Sequence, residues 1–202
     1  MKWKNGKGET LQIALIPRSA KFPTDPFLWR LSSAVIEESG PFSEFFGYQR
    51  AIVLLSGRGL SIQLNSGEKQ QITQNSVFSF SGDEKAMGFL QDGPVVDLNL
   101  IWNDNKIGCQ FKPVTAVELD SKNGITFIVA AKTQTVIFYF VKPGAQINES
   151  GERISFSRGD TSILERNDQS GNPINVKVNF ENLSDAEPSS ILLYSIELSR
   201  RD

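Results

Sequence analysis

Val95-Val96-Asp97-Leu98-Asn99-Leu100-Ile101 alternates in character: Val96, Leu98 and Leu100 share one face of a strand, opposite Asp97 and Asn99. The same period of two recurs in Leu60-Ser61-Ile62-Gln63-Leu64, with the three apolar side chains on one side. Working outward, Leu11–Ile16, Leu28–Ile36, Arg50–Leu55, Val77–Phe80 and Met87–Leu90 fill the first half with strand-length runs. Ile125–Ala130, Thr135–Val141, Arg153–Phe156, Thr161–Leu164, Val176–Phe180 and Ile191–Leu198 fill the second. Gly, Pro, Asn, Asp and Ser separate them, as turn residues separate strands. Ser56-Gly57-Arg58-Gly59, between Arg50–Leu55 and Leu60–Leu64, reads as the turn of a β-hairpin. No stretch sustains a 3.6-residue period, and Asn103–Lys106 is too short for a helix. The expected fold is therefore all-β, a sandwich or barrel with very little helix.

A weak internal echo joins Ser76-Val77-Phe78-Ser79-Phe80-Ser81-Gly82-Asp83 to Ile154-Ser155-Phe156-Ser157-Arg158-Gly159-Asp160. Each ends a hydrophobic alternation at a Gly-Asp turn. The pair suggests two similar β-units fused in one chain, with a seam near residues 110–125. Glu165–Pro173 and Asn182–Ser190 read as surface loops.

The chain has 202 residues, 39% of them hydrophobic, enough for a substantial core. Its 21 basic and 23 acidic side chains leave a net charge of −2, without the basic footprint of a nucleic-acid protein. There is no histidine, which removes every mechanism that needs an imidazole ligand, base or pH switch. The single cysteine, Cys109, excludes an intramolecular disulfide and any multi-cysteine zinc site. It follows Gly108 in a strand-like stretch and reads as a packed thiol, since a nucleophile wants a base beside it. Met1-Lys2-Trp3-Lys4-Asn5-Gly6 is not followed by the apolar core of a signal peptide. The longest apolar runs, such as Ala51–Leu55 and Val136–Val141, are strand-length and far short of a membrane helix. The expectation is a soluble cytoplasmic protein without nucleic-acid or membrane partners; a homodimer is among the assemblies this admits.

Three segments concentrate residues able to hold a ligand. Trp3-Lys4-Asn5-Gly6-Lys7-Gly8-Glu9-Thr10 combines a tryptophan with glycines that let backbone amides approach an anion, without the spacing of a phosphate loop. It also reads as a structured turn before the first strand. In Trp29-Arg30-Leu31-Ser32-Ser33-Ala34, strand geometry points Arg30, Ser32 and Ala34 one way and Trp29, Leu31 and Ser33 the other. Arg30 with Ser32 is suited to a carboxylate, the arginine as a bidentate donor; a solvated face or structural salt bridge is the alternative. Gly40-Pro41-Phe42-Ser43-Glu44-Phe45-Phe46-Gly47-Tyr48-Gln49-Arg50 is too aromatic for a free loop and either plugs a barrel mouth or lines a pocket. Arg50 opens the next strand, and core packing alone explains it poorly because an unpaired buried guanidinium is costly. Glu37-Glu38 and Asp83-Glu84 have no spacing that marks an acid/base pair or a metal site.

With these residues in view, the chain resembles the HutD/Ves family of small bicupins. Four stretches carry the resemblance over roughly residues 1–112. They are Trp3-Lys4-Asn5-Gly6…Gly8-Glu9-Thr10; Trp29-Arg30-Leu31-Ser32…Ala34; Gly40-Pro41-Phe42-Ser43…Phe45…Gly47…Arg50…Leu55…Gly57…Gly59; and Phe80-Ser81-Gly82-Asp83 with Leu90…Asp92-Gly93-Pro94…Asp97-Leu98-Asn99. Their order and spacing make the set specific; the second half matches loosely, and Lys7 stands where the family usually has a third glycine. The resemblance implies two fused cupin-like β-barrels or jelly-roll-like sandwiches. The first, residues 1–112, would carry the motifs and the second would span 113–202, as two bodies or, with exchanged strands, as one compact unit. It also implies a family that largely lacks the His-plus-Glu set of metal cupins, so neither metal nor cofactor is expected. Family members are associated with histidine utilisation, where HutD is thought to sense or limit a pathway intermediate, or with stress responses in the Ves branch.

Three functions follow as expectations. A binding module would hold a small carboxylate, such as urocanate or N-formylglutamate, with no catalytic residue. Arg30 and Arg50 would supply charge, Asn5, Thr10 and Ser32 hydrogen bonds, and Phe42 and Phe45 apolar walls, with Gly6 and Ser43 in the same set. A metal-independent isomerase or hydrolase would instead need an acid/base from Glu9, Glu44, Asp97, Tyr48 or a lysine. A Ves-like protein would act through a protein partner.

Overall fold

The computed structural model of the protein describes residues 3, 8–74, 76–119, 124–147, 152–166, 172–180, 183 and 187–201. The chain divides into two compact units, residues 1–107 and 108–202. Among the described residues the only helix is the 3-10 turn Ala116–Glu118; the other regular elements are strands.

The first unit runs β1 (Gly8–Ile16), β2 (Trp29–Ile36), β3 (Gly40–Pro41), β4 (Gln49–Ser56), β5 (Leu60–Leu64), β6 (Lys69–Ile72), β7 (Phe78–Ser81), β8 (Ala86–Leu90) and β9 (Val95–Trp102). Its five-stranded sheet has the order β1-β2-β9-β4-β7 and its four-stranded sheet the order β3-β8-β5-β6. All the pairings are antiparallel. The sheets form a sandwich rather than a closed barrel, so of the two forms expected the sandwich is the one adopted. The core between them joins Ala34 and Ile36, Ile52 and Leu54, and Val95 to Leu60, Ile62 and Ala86 of the other sheet. By strand alternation Arg30, Ser32, Arg50, Asp97, Asn99 and Ile101 lie on that same inner face.

The second unit runs β10 (Ile107–Thr115), β11 (Gly124–Val129), β12 (Thr133–Phe140), β13 (Gly144–Ile147), β14 (Arg153–Phe156), β15 (Thr161–Glu165), β16 (Ile174–Phe180) and β17 (Ile191–Arg200). β10 starts at the last residue of the first unit. Its sheets have the orders β10-β17-β12-β15 and β11-β16-β13-β14. Subtracting eight from each label gives 2-9-4-7 and 3-8-5-6, the orders of the first unit without its extra edge strand β1. The two units thus share one topology. Their interiors differ: the second is filled by Phe127, Phe138, Phe140 and Phe180 with Val and Leu, and Phe140 stacks on Phe156 at 4.5 Å.

Two sequence expectations are corrected. Ser56-Gly57-Arg58-Gly59 is not a hairpin, because β4 pairs with β7 and β9 while β5 pairs with β6 and β8. The segment carries the chain from one sheet to the other. Gly57 takes φ +111° there, and a Cβ on it would lie 2.7 Å from Val95 Cγ1. The echo between Ser76–Asp83 and Ile154–Asp160 is also out of register. It matches β7 with β14, whereas topology makes β15 the counterpart of β7 and β6 that of β14. The stretches Glu165–Pro173 and Asn182–Ser190 fall partly outside the described residues.

Gly57→Ala is expected to lower stability by about 1–3 kcal/mol, through its disfavoured φ and the contact with Val95. The shift of the urea midpoint relative to the unaltered protein measures it.

Candidate functional site

The register of the five-stranded sheet sets polar groups in rows across its inner face. Leu15, Arg30, Ile101, Arg50 and Phe80 form one row across β1, β2, β9, β4 and β7. Gln12, Ser32, Asn99 and Ile52 form the next, and Thr10, Ala34, Asp97 and Leu54 the third. Between this face and the aromatic segment Pro41–Phe45 lies a cavity of about 420 Å³. Arg30, Ser32, Arg50, Asp97, Asn99 and Ile101 line its sheet side. Phe22, Phe42 and Phe45 form aromatic walls, with Trp3 and Thr10 beside them.

Both arginines are buried, at 7% and 2% exposure. Arg30 Nε donates to Gln12 Oε1 at 3.0 Å and Nη1 to Ser32 Oγ at 2.9 Å, and its guanidinium lies 4.0 Å from the centre of the Phe22 ring. Arg50 Nη1 donates to the Ser43 carbonyl at 2.9 Å. Phe80, Phe42 and Phe45 surround its guanidinium at 5.0, 5.4 and 5.4 Å. Arg50 Nε is buried without a hydrogen-bond partner. Burial lowers both guanidiniums to about 10, against the attraction of Asp97; they stay charged at neutral pH.

Asp97 is 1% exposed. Its Oδ1 accepts the Ala34 amide at 2.9 Å. Burial raises its carboxyl to about 7, against the Ala34 hydrogen bond and the attraction of Arg50 and Arg30. Neither guanidinium comes within 4.0 Å of it as an ion pair among the described residues. Asn99 Oδ1, one row away, is buried and unpartnered.

The aromatic walls are seated by close backbone approach. A Cβ on Gly88 of β8 would lie 2.6 Å from the Phe42 ring, so only glycine leaves that seat open. The Phe45–Tyr48 turn is clasped by Gly82, whose carbonyl accepts the Phe45 amide and whose amide donates to the Tyr48 carbonyl. Asp83 Oδ1 accepts the Gly47 amide at 2.7 Å, so the Gly82-Asp83 motif serves as a clamp for the aromatic segment. Tyr48 stacks on Phe27 at 4.3 Å and bonds through its hydroxyl to the Phe27 backbone. Trp3 Nε1 donates to Thr10 Oγ1 at 2.8 Å.

Thr10, Arg30, Ser32, Phe42, Ser43, Phe45 and Arg50 are therefore brought together around one cavity. Asn5 and Gly6 lie outside the described residues. Of the acid/base candidates, Glu9 and Glu44 are exposed, Tyr48 is bonded into the wall, and Asp97 lines the cavity. The sequence reading does not include Phe22, Asn99 and Ile101 among the ligand residues; the structure adds them to the cavity lining. For Asn99 the signal is a polar residue two positions from Asp97 in a strand whose opposite face is Val96, Leu98 and Leu100. Among the described residues no group of three or more His, Cys, Asp or Glu is placed to hold a metal ion, and no helix is long and apolar enough to cross a membrane.

The fold and cavity define a cupin-like β-sandwich protein of two topologically equivalent units, with an arginine-lined cavity inside the first. A family model described as HutD matches residues 1–181, and the chain belongs to the HutD family. The match extends well past the residue-112 limit of the sequence motifs. An uncharacterized 21.2 kDa protein in the hutC 3' region of Pseudomonas putida is 41% identical over 102 residues, half of this chain and 52% of that protein. Protein Ves of Escherichia fergusonii is 29% identical over 131 residues, 63% of this chain and 66% of that one. The chain thus spans from about half to about two thirds of these curated relatives. HutD from Pseudomonas fluorescens SBW25 (formate condition) superposes with a TM-score of 0.76 at 28% identity, over 100% of this chain and 94% of that chain. A cupin 2 conserved barrel domain protein from Leptotrichia buccalis shares the fold alone, with a TM-score of 0.53 at 11% identity over 100% and 92% of the two chains.

The Asp97 carboxyl makes stability depend on pH. Its folded value of about 7 lies above the unfolded value of about 3.9. The folded state therefore holds a proton that the unfolded state releases, and stability falls as pH rises from about 4 to 7. Asp97→Asn is expected to remove that fall and gain up to roughly 4 kcal/mol on the parent across the window. Urea midpoints of both proteins from pH 4.5 to 7.5 check this; parallel curves would contradict it.

Proposed function

We propose that the cavity of the first unit binds a small carboxylate and that the protein acts through this binding, without metal or cofactor. The observation that carries this is Arg50. Its guanidinium is desolvated among three phenylalanine rings, with one hydrogen bond to a carbonyl and a buried Nε that has no partner. A buried cation in that state is costly unless an anion completes it, and a carboxylate matches the guanidinium fork. Arg30 lies two strands away in the same row, across Ile101. The cavity's size and its mixture of aromatic walls with a few converging polar groups suit a small organic ligand.

Family membership directs the choice of ligand. The relative in Pseudomonas putida is named for the hutC region, and a similar solved structure is a HutD of Pseudomonas fluorescens. We therefore place the protein in a regulatory or limiting role in histidine utilisation, reading an intermediate such as urocanate or N-formylglutamate. A second reading rests on Asp97: a cavity carboxyl that titrates near neutrality is matched to general acid/base work. Turnover of a bound carboxylate, lost in Asp97→Asn, would favour an isomerase or hydrolase over a sensor.

The test is thermal unfolding against urocanate, N-formylglutamate, glutamate, histidine, formate and acetate. A ligand at about 100 times its Kd adds about 2.7 kcal/mol, which raises Tm by roughly 5–10 °C for a chain of this length. At least one acid is expected to give that shift, and Arg50→Gln to abolish it while still unfolding cooperatively. No shift across the panel, or an undiminished shift in Arg50→Gln, would overturn the proposal.

A further inference from the structure

Three ionisable groups share one enclosed space without an ion pair joining them. Arg30, Arg50 and Asp97 line the cavity of the first unit, and among the described residues no other ionisable side chain lines it. Asp97 is in register with Ala34 of β2 and Leu54 of β4, and Thr10 of β1 lies in the same row. The four-stranded sheet brings apolar core residues against this face, among them Leu60, Ile62 and Ala86. Glu9, Glu38 and Glu44, the acids of the adjoining segments, are exposed. The charges that act on Asp97 inside the sandwich are therefore those of the two arginines. Asp97 lies four residues along β9 from Ile101, which is in register with both of them, a separation of about 13 Å along the strand. That is too far for an ion pair. At that distance and an effective dielectric of about 20, one unit of charge still changes the proton affinity of a carboxyl by about tenfold. The surroundings of Asp97 serve either protonation state. Its Oδ1 accepts the Ala34 amide, and two residues along the same face Asn99 Oδ1 is buried without a hydrogen-bond partner. A proton on Asp97 supplies the donor that this acceptor lacks.

We propose that the cavity couples anion capture to proton uptake: a carboxylate seated at Arg30 and Arg50 draws a proton from solvent onto Asp97, so the site holds its anion less tightly as the solution becomes more alkaline. The inference rests on the carboxylate reading proposed above and adds a regulation to it. An anion at the arginine row cancels part of the attraction that favours the Asp97 carboxylate and adds its own repulsion. The proton moves from solvent to the Asp97 carboxylate, and no bond in the ligand changes. The cavity groups carry two net positive charges when Asp97 is neutral and one when it is ionised. By reciprocity, the factor by which the anion tightens the proton is the factor by which the proton tightens the anion. Burial holds the Asp97 carboxyl at about 7, and the anion moves it higher. Binding is therefore tightest below that value, where Asp97 already carries its proton, and weakens as pH rises through it. Both arginines, at about 10, keep their charge across this range.

Formate is the probe, because it stays ionised across the range and has no second titrating group. In calorimetric titrations of the full chain at fixed ionic strength, its Kd is expected to be roughly five- to tenfold weaker at pH 8.5 than at pH 6. In a pH-stat at pH 7.5, binding is expected to take up about half a proton per formate. Asp97→Asn, whose side chain is neutral at every pH, is expected to give one Kd at both pH values and no proton uptake. An unchanged Kd without proton uptake in the unaltered protein would overturn the coupling while leaving carboxylate binding intact. Coupling undiminished in Asp97→Asn would overturn the role of Asp97. Absence of formate binding at both pH values would overturn the carboxylate reading and this inference together.

Discussion

Two guanidinium groups and one carboxyl group are enclosed between the sheets of the first unit, where each isolated charge costs several kcal/mol relative to water. Much of the local structure answers to that constraint. Gln12 and Ser32 accept from Arg30, and the Ser43 carbonyl accepts from Arg50. Aromatic faces stand over both guanidiniums, where the ring quadrupole favours a cation. Gly88 leaves room for Phe42 to approach, and the Gly82-Asp83 clamp holds the turn that carries Phe45. The Ala34 amide stabilises the Asp97 carboxylate against burial. A site assembled on paired strands, with its polar groups fixed by register, is positioned more firmly than one built on loops alone.

The second unit is an internal control. It repeats the topology without the edge strand β1, and its hydrophobic core is built of phenylalanine, valine and leucine. The sandwich therefore does not require the buried charges of the first unit. Apart from the edge strand β1, what distinguishes the two units is the residues on their inner faces.

The sequence made much of this legible, for physical reasons that can be named. Arg30 and Ser32 alternate in a strand, so their shared face followed from the period of two. The cost of an unpaired buried guanidinium already set Arg50 apart from the phenylalanines around it. Asp97 and Asn99 were harder to place. Opposite Leu98 and Leu100 they look like the solvent side of a half-buried strand, but β9 is central in its sheet and both its faces are buried. Alternation reports which residues share a face and cannot report which face meets water. Phe22 belongs to a segment without strand period, and its place over Arg30 depends on tertiary packing. The misread turn at Gly57 has a similar cause: glycines at positive φ suit a hairpin and a crossing between sheets equally well, and the choice is made by the pairing of distant strands.

In the proposed function, Arg30 and Arg50 are held in readiness for a carboxylate. The most direct measurement is a ¹H–¹⁵N spectrum of the arginine side chains, recorded as formate is added, with formamide as the uncharged control of equal size. The Nε–H signals of Arg30 and Arg50 are predicted to move along a common saturating curve with formate and to stay fixed with formamide. Those of the solvent-exposed Arg58, paired with Asp92 at 2.6 Å, are predicted to stay fixed with both. Signals of Arg30 and Arg50 that move no more than those of Arg58, or that respond equally to formamide, would contradict it.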